Sequence, residues 1–241
     1  MSKVKLHSNL IVAHRGAWKT LSLPENSIAS LKQAINMKCA GSEFDVHMTA
    51  DDTLVINHDE KYHGLDIETH TFDELNQFKL SNGENIPTLR EYLSQGMKNN
   101  GGTRIVMEIK PSTISIERGQ LVAKKAFDLV HELKAEAWIT YISFDLNILK
   151  KLISLDKKVQ TQYLNGELSP IQLKSLGIVG LDYNLSVFKN HPEWIKAAKD
   201  NKMILNVWTV NMEEDMDYFI RNKFDFITTN EPELLFKKIM K

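Results

Sequence analysis

Two histidines, three acids, an arginine and a lysine end or interrupt apolar runs of this chain. His14-Arg15-Gly16 follows Leu10-Ile11-Val12-Ala13, and Glu43 and Asp45 lie inside Ser42-Glu43-Phe44-Asp45-Val46. His58-Asp59 follows Leu54-Val55-Ile56-Asn57, and Glu108 and Lys110 close the run that begins at Arg104. Runs rich in Val and Ile and bounded by polar turns read as buried strands. A carboxylate there is costly unless a partner offsets its charge. These residues therefore point to one shared polar site. Carboxylates that hold a cation, histidines that move protons and basic groups that meet a phosphate make metal-assisted phosphoryl chemistry.

Spacing supports convergence. Glu43 and Asp45 are two residues apart, so on a strand both carboxylates face the same way, and Glu108 and Lys110 repeat the interval. An all-oxygen set favours Mg²⁺ or Ca²⁺, and no Cys/His cluster with zinc-like spacing is present. The residues alone leave a second reading open, in which the acids form buried ion pairs with Arg15, Lys110 or Arg104. His14 and His58, on opposite sides of a phosphorus, would supply one base and one acid, against the plainer reading of hydrogen-bonded core histidines. His47 shares the face of Glu43 and Asp45 farther along and belongs at the rim. His7, His63, His70, His131 and His191 read as surface or structural.

Strand-like runs recur at residues 10–13, 43–48, 103–109, 138–143, 159–164, 179–183, 204–210 and 224–228. Helix-like stretches at 27–37, 89–97, 118–133, 146–154, 170–176, 192–201, 212–222 and 232–240 fill most of the intervals. Asn26 or Ser27 can cap the first, Thr88 with Glu91 makes a capping box, and Asn211 precedes Glu213-Glu214-Asp215. This alternation predicts an α/β fold, a TIM (β/α)8 barrel, as one domain over residues 1–241. A ninth short strand at 54–58 is too close to the second for a parallel crossover and predicts a hairpin. With Asp51-Asp52 as a two-residue turn, His58 falls opposite Asp45. Residues 60–87 lack a strong period and read as a short insertion, with a helix near 72–78, forming one wall of the site.

Bulk properties exclude some partners. The chain has 241 residues, 42% of them hydrophobic, and a net charge of −1, which gives no electrostatic case for nucleic acid or an anionic membrane. Cys39 is the single cysteine, so no intramolecular disulfide forms. Residues 1–8 are too short and polar for a signal peptide, and no apolar stretch is long enough to span a bilayer. The expectation is a cytoplasmic enzyme without integral membrane association.

His14-Arg15-Gly16, Pro24-Glu25-Asn26-Ser27, Glu43-Phe44-Asp45-Val46 with Thr49 and Asp51, and His58-Asp59 resemble the glycerophosphodiester phosphodiesterase family. Glu108-Ile109-Lys110, Ser143-Phe144 and Val207-Trp208-Thr209-Val210-Asn211 fall where that family carries similar segments, so the resemblance runs from about residue 11 to 232. It implies metal-dependent hydrolysis of glycerophosphodiesters to glycerol 3-phosphate and an alcohol. One divalent cation, Mg²⁺ or Ca²⁺, would sit on Glu43, Asp45 and Glu108, with His14 and His58 as the proton-transfer pair. Arg15 and Lys110 would approach the phosphoryl group, Gly16 would let the backbone pass close to the ligand, and Glu25 would hold Arg15 or a metal-bound water. Trp208 would cover the glycerol carbons, or else be a core aromatic; Ser143-Phe144 has a similar balance. Asp52 stands where the family usually has glycine. Asn230 stands where it often has aspartate, which bears on the preferred alcohol. Alternatives are a lysophospholipase D-like activity and a non-catalytic phosphodiester-binding barrel. A sugar-phosphate aldolase or isomerase is weaker, because no lysine is placed for a Schiff base.

Overall fold

The computed structural model describes residues 4–240. Its strands are β1 (Ile11–Ala13), β2 (Gly41–Met48), β3 (Leu54–Ile56), β4 (Lys61–Tyr62), β5 (Leu65–Asp66), β6 (Arg104–Ile109), β7 (Ile139–Ser143), β8 (Thr161–Tyr163), β9 (Gly180–Asn184), β10 (Ile204–Trp208) and β11 (Phe226–Thr229). Eight of them, β1, β2 and β6 to β11, pair in parallel in a ring that closes where β1 meets both β2 and β11. Helices lie between the strands, so the fold is a TIM barrel. Each strand is short and apolar where it faces the helices: Phe44, Ile105, Met107, Leu181, Tyr183, Leu205 and Val207 are fully buried in the layer between sheet and helices. A second, smaller apolar group, Val12, Val106, Ile142 and Leu164, gathers separately, with Phe144, Trp208 and Phe226 packed against it.

Local signals explain the helix starts. Ser27 caps Ile28–Asn36 in a box with Ser30, and Thr88 with Glu91 caps Leu89–Met97 as its sequence predicts. Asn211 does not cap Glu213–Arg221, whose N-cap is Met212. Its side-chain oxygen instead accepts from the Asn230 amide at 2.9 Å and ties β10 to the end of β11. A helix at Leu185–Asn190, directly after β9, has no counterpart among the predicted stretches; Asn184 caps it by accepting from the Ser186 amide.

The hairpin differs from its predicted register by one residue. Val46 pairs with Ile56, His47 with Val55 and Met48 with Leu54, so Asp45 lies opposite Asn57 rather than His58. The reason is a three-residue loop, Ala50-Asp51-Asp52, closed by the Thr49 amide on the Thr53 carbonyl at 2.9 Å. Its last residue, Asp52, takes the left-handed conformation with φ 64°, the usual geometry of such loops. A slip of one residue would turn His58 to the other face. His58 escapes this because β3 has already ended at Ile56 and the chain bends.

The insertion forms less of the site wall than expected. The pair β4–β5 and the helix Phe72–Leu75 pack on their own apolar cluster of Val55, Tyr62, Ile67, Leu75 and Ile86. Only Glu60 and Lys61 of this segment line a groove beside the site. Glu68 braces the loop after β6, accepting from Ser112 Oγ at 2.7 Å, Thr113 N at 2.6 Å and Arg118 Nε at 3.1 Å. Burial opposes ionisation of Glu68, but these donors outweigh it and its pKa lies below the usual glutamate value. A depressed folded-state pKa stabilises above the unfolded value of about 4.3, and that stability is lost as pH falls through the folded value. Glu68→Gln is therefore expected to cost about 1–3 kcal/mol at pH 7. Denaturant unfolding of both proteins at neutral and acid pH should show the gap closing on acidification.

Candidate active site

The site stands at the carboxyl ends of β1, β2 and β6. Parallel pairing puts Asp45 beside Glu108 in register, so the two neighbouring strands bring their acids together. Glu43, Asp45 and Glu108 have carboxylate oxygens within 4.8 Å of one another, and all three residues are buried. Lys110 Nζ contacts Asp45 at 2.9 Å and Glu108 at 2.8 Å. Directly after β1 the chain turns with Arg15 at φ 56°, a conformation costly for a side-chain residue, and the Arg15 amide donates to Glu43 Oε2 at 2.8 Å. Gly16 at φ 81° continues the turn. A Cβ there would collide with Ser30, so its lack of a side chain serves contact with the first helix.

The arginine side chain is held from two sides. Nη1 donates to Glu25 Oε1 at 2.8 Å, and Nε lies 3.7 Å from Asp45 Oδ2. Glu25 thus holds Arg15. His14 Nδ1 meets Asn230 Oδ1 at 2.8 Å, while Nε2 lies 3.9 Å from Glu43. With the amide oxygen as acceptor, Nδ1 carries the proton and Nε2 keeps its lone pair. His58 Nδ1 meets Asp59 Oδ1 at 2.7 Å, and His47 Nε2 meets the His58 carbonyl oxygen at 3.2 Å.

Electrostatics fit a cation. Burial, then repulsion from Asp45 and Glu108, pushes the Glu43 pKa well up. Burial and Asp45 push Glu108 up as well. Burial acts the same way on Asp45, but Lys110, His58 and Asn26 outweigh it and hold that carboxyl below the ordinary range. Burial would lower Lys110, yet Asp45 and Glu108 raise it. Three carboxyl groups are thus more than Lys110 can neutralise, so Glu43 and Glu108 are pushed toward their neutral forms, and Glu43 Oε1 is buried with no hydrogen-bond partner among the described residues. An all-oxygen set with an unpartnered carboxylate oxygen suits a hard divalent ion. His14 is lowered to about 4, first by burial and then by Arg15, and is neutral near pH 7.

His14, Arg15, Glu43, His58, Glu108 and Lys110 share a cavity of about 120 Å³ with Ile142, Phe144, Leu164, Asp182, Trp208 and Thr228. Trp208 donates from Nε1 to the Asp182 backbone carbonyl at 2.9 Å, and its ring meets Phe144 edge-on at 5.5 Å. Ser143 does not reach the cavity; its hydroxyl donates to the Ile109 carbonyl at 2.7 Å. A wider groove of about 610 Å³ adjoins, lined by His47, Asp59, Glu60, Lys61, Ser112 and Thr113, and it shares His58, Glu108, Lys110 and Phe144 with the inner cavity.

A model of the glycerophosphoryl diester phosphodiesterase family matches residues 14–234. The chain belongs to this family. It is accordingly an enzyme of the phosphoric diester hydrolase class. Among its relatives, a glycerophosphodiester phosphodiesterase of Caldanaerobacter subterraneus is 29% identical over 96% of this chain and 98% of its own. A crystal structure of a glycerophosphodiester phosphodiesterase from Parabacteroides distasonis superposes with a TM-score of 0.93 at 42% identity, covering 98% of each chain. A phosphodiesterase of Oleispira antarctica, solved with the product sn-glycerol 3-phosphate, shares the fold at 21% identity with a TM-score of 0.80, covering 97% of each chain.

In this glycerophosphodiester phosphodiesterase fold every site residue expected from sequence borders the cavity or touches a residue that does. Three others take places in the site that the sequence did not assign to them. Asn26, at φ 56° and 3% exposed, donates to Asp45 Oδ2 at 2.8 Å and accepts from the Asp45 amide at 3.2 Å. Asn230 contacts His14, so the asparagine that stands where the family often has aspartate bears on the histidine. Asp182 lines the cavity at 1% exposure.

Proposed function

We propose that this chain, acting as one catalytic domain, hydrolyses glycerophosphodiesters to glycerol 3-phosphate and an alcohol with the help of one divalent cation. The observation that carries this is the cavity lined by Glu43, Glu108, two histidines, Arg15 and Lys110, with Asp45 completing the carboxylate cluster behind it. Glu43, Asp45 and Glu108 would hold the ion, Mg²⁺ or Ca²⁺. An ion held there would supply positive charge to offset the negative charge that builds on the phosphoryl group and on the attacking hydroxyl.

His14 is the base of this reading. Its Nε2 is unprotonated at neutral pH and accepts the proton of the glycerol 2-hydroxyl, which attacks phosphorus. His58, whose Nδ1 is held by Asp59, stands between the inner cavity and the outer groove and protonates the departing alcohol from Nε2. The resulting cyclic phosphate is opened by water with the two roles reversed. Arg15 and Lys110 meet the phosphate oxygens. Trp208 and Phe144 cover the glycerol carbons. The groove through which the alcohol leaves carries Asp59, Glu60 and Lys61, which suits a polar head group better than an acyl chain.

Turnover of glycerophosphocholine beside a lysophospholipid tests the assignment. Glycerophosphocholine should be cleaved, EDTA should abolish cleavage, and Mg²⁺ or Ca²⁺ should restore it. Preferential cleavage of the lysophospholipid would move the substrate class. Turnover that survives exhaustive chelation would remove the cation from the reading.

A further inference from the structure

Asp182 has no part in the chemistry above, yet it is among the most buried polar groups of the cavity. It lies on β9, in register with Asn206 of β10, inside the otherwise apolar run from Val179 to Tyr183. Its residue is 1% exposed and its Oδ1 has no hydrogen-bond partner among the described residues. Leaving a buried oxygen unpaired is costly, so an unpartnered acceptor that borders a cavity calls for a ligand there.

The cavity has a direction set by exposure. The side chains of His58, Arg15 and Lys110 are 36%, 18% and 13% exposed and mark its mouth. Thr228, Leu164 and Ile142 are 3%, 3% and 2% exposed and mark its buried end, where Asp182 belongs. The cationic groups that suit phosphate are thus at the mouth. The buried end offers apolar walls, one hydroxyl and one free carboxyl oxygen. A short polyol fits this pattern, with its carbons against Leu164 and Ile142 and a hydroxyl beyond them.

We propose that Asp182 is a specificity-determining residue whose Oδ1 accepts a hydrogen bond from a hydroxyl of the glycerol unit. The proposal rests on the glycerophosphodiester reading of the cavity and names how that unit is told from an unhydroxylated alkyl chain. Burial, then Glu108 nearby, raises the carboxyl pKa against an opposing hydrogen bond with the Asn206 side chain; Oδ1 stays unpartnered, and the neutral and charged forms both keep an acceptor oxygen. A site built to pair a hydroxyl rejects an analogue lacking it, because its own polar group is then left bare.

The test is calorimetric binding of glycerol 3-phosphate and of n-propyl phosphate, with Ca²⁺ added, to the wild type, Asp182→Leu and Asp182→Asn. The two ligands share phosphate and carbon count and differ in the hydroxyls. The wild type should favour glycerol 3-phosphate. Asp182→Leu should lose about 10- to 100-fold of that preference with propyl phosphate binding held or improved, and Asp182→Asn, which keeps an acceptor oxygen, should retain most of it. Equal weakening of both ligands by Asp182→Leu would show a packing role or a structural water, and an unchanged preference would show no contact; either result overturns the proposal. Failure of the hydrolytic reading is separable, because it would appear as selective binding of glycerol 3-phosphate without cleavage of glycerophosphodiesters.

Discussion

Asp45→Ala is expected to lose the cation and turnover together, with kcat/KM falling by about 10³-fold or more. Asp45 is 1% exposed and joins Lys110 at 2.9 Å, Asn26 at 2.8 Å and, at 3.7 Å, the Arg15 guanidinium. Its removal takes away a ligand oxygen and leaves two cations facing the position where a third positive charge should bind. Lys110 keeps Glu108 and Arg15 keeps Glu25, so the barrel should still form. Glu43→Ala should act in the same direction, because its Oε1 is a buried carboxylate oxygen with no hydrogen-bond partner among the described residues. Calorimetric titration with Mg²⁺ and Ca²⁺, beside initial rates, checks both variants. Wild-type rates without excess cation in either would refute the ligand assignment.

His14→Ala and His58→Ala should each lower turnover by about 10²–10⁴-fold while cation binding persists. The two losses should respond differently to the leaving group. A nitrophenyl ester of glycerol phosphate departs without a proton, so it should rescue His58→Ala far more than His14→Ala. The asymmetry follows from position. His14 is part-buried and held neutral with its Nδ1 on Asn230, whereas His58 is more exposed and has its Nδ1 on Asp59. Equal rescue would reverse or merge the roles while leaving the pair. A substrate lacking the glycerol 2-hydroxyl should bind without turning over. Its hydrolysis at a normal rate would make water the nucleophile.

Much of this site was legible because a barrel writes its chemistry at strand ends. His14, Glu108 and Lys110 close Val- or Ile-rich runs at their carboxyl ends, and the two-residue spacing of Glu43 and Asp45 fixes a shared face. What escaped depends on closure across the ring. The contact of His14 with Asn230 spans 216 positions and exists only because β1 pairs with β11. Asn26 reaches Asp45 from a turn whose left-handed backbone no periodicity reveals. The hairpin register turned on one loop residue, since two- and three-residue loops suit the same acidic segment. Asp182 carried a readable signal, a carboxylate inside an apolar strand, of the same kind that marked Glu43 and Asp45.

The central claim is cation-dependent cleavage on the alcohol side of phosphorus, and phosphorus NMR of a glycerophosphocholine reaction reads it directly. With Mg²⁺ or Ca²⁺ present, the substrate resonance should give way to glycerol 3-phosphate, with a cyclic glycerol phosphate between them if ring opening is slow. With EDTA the substrate should persist. Phosphocholine as the product, or glycerol 3-phosphate formed equally well in EDTA, would contradict the account.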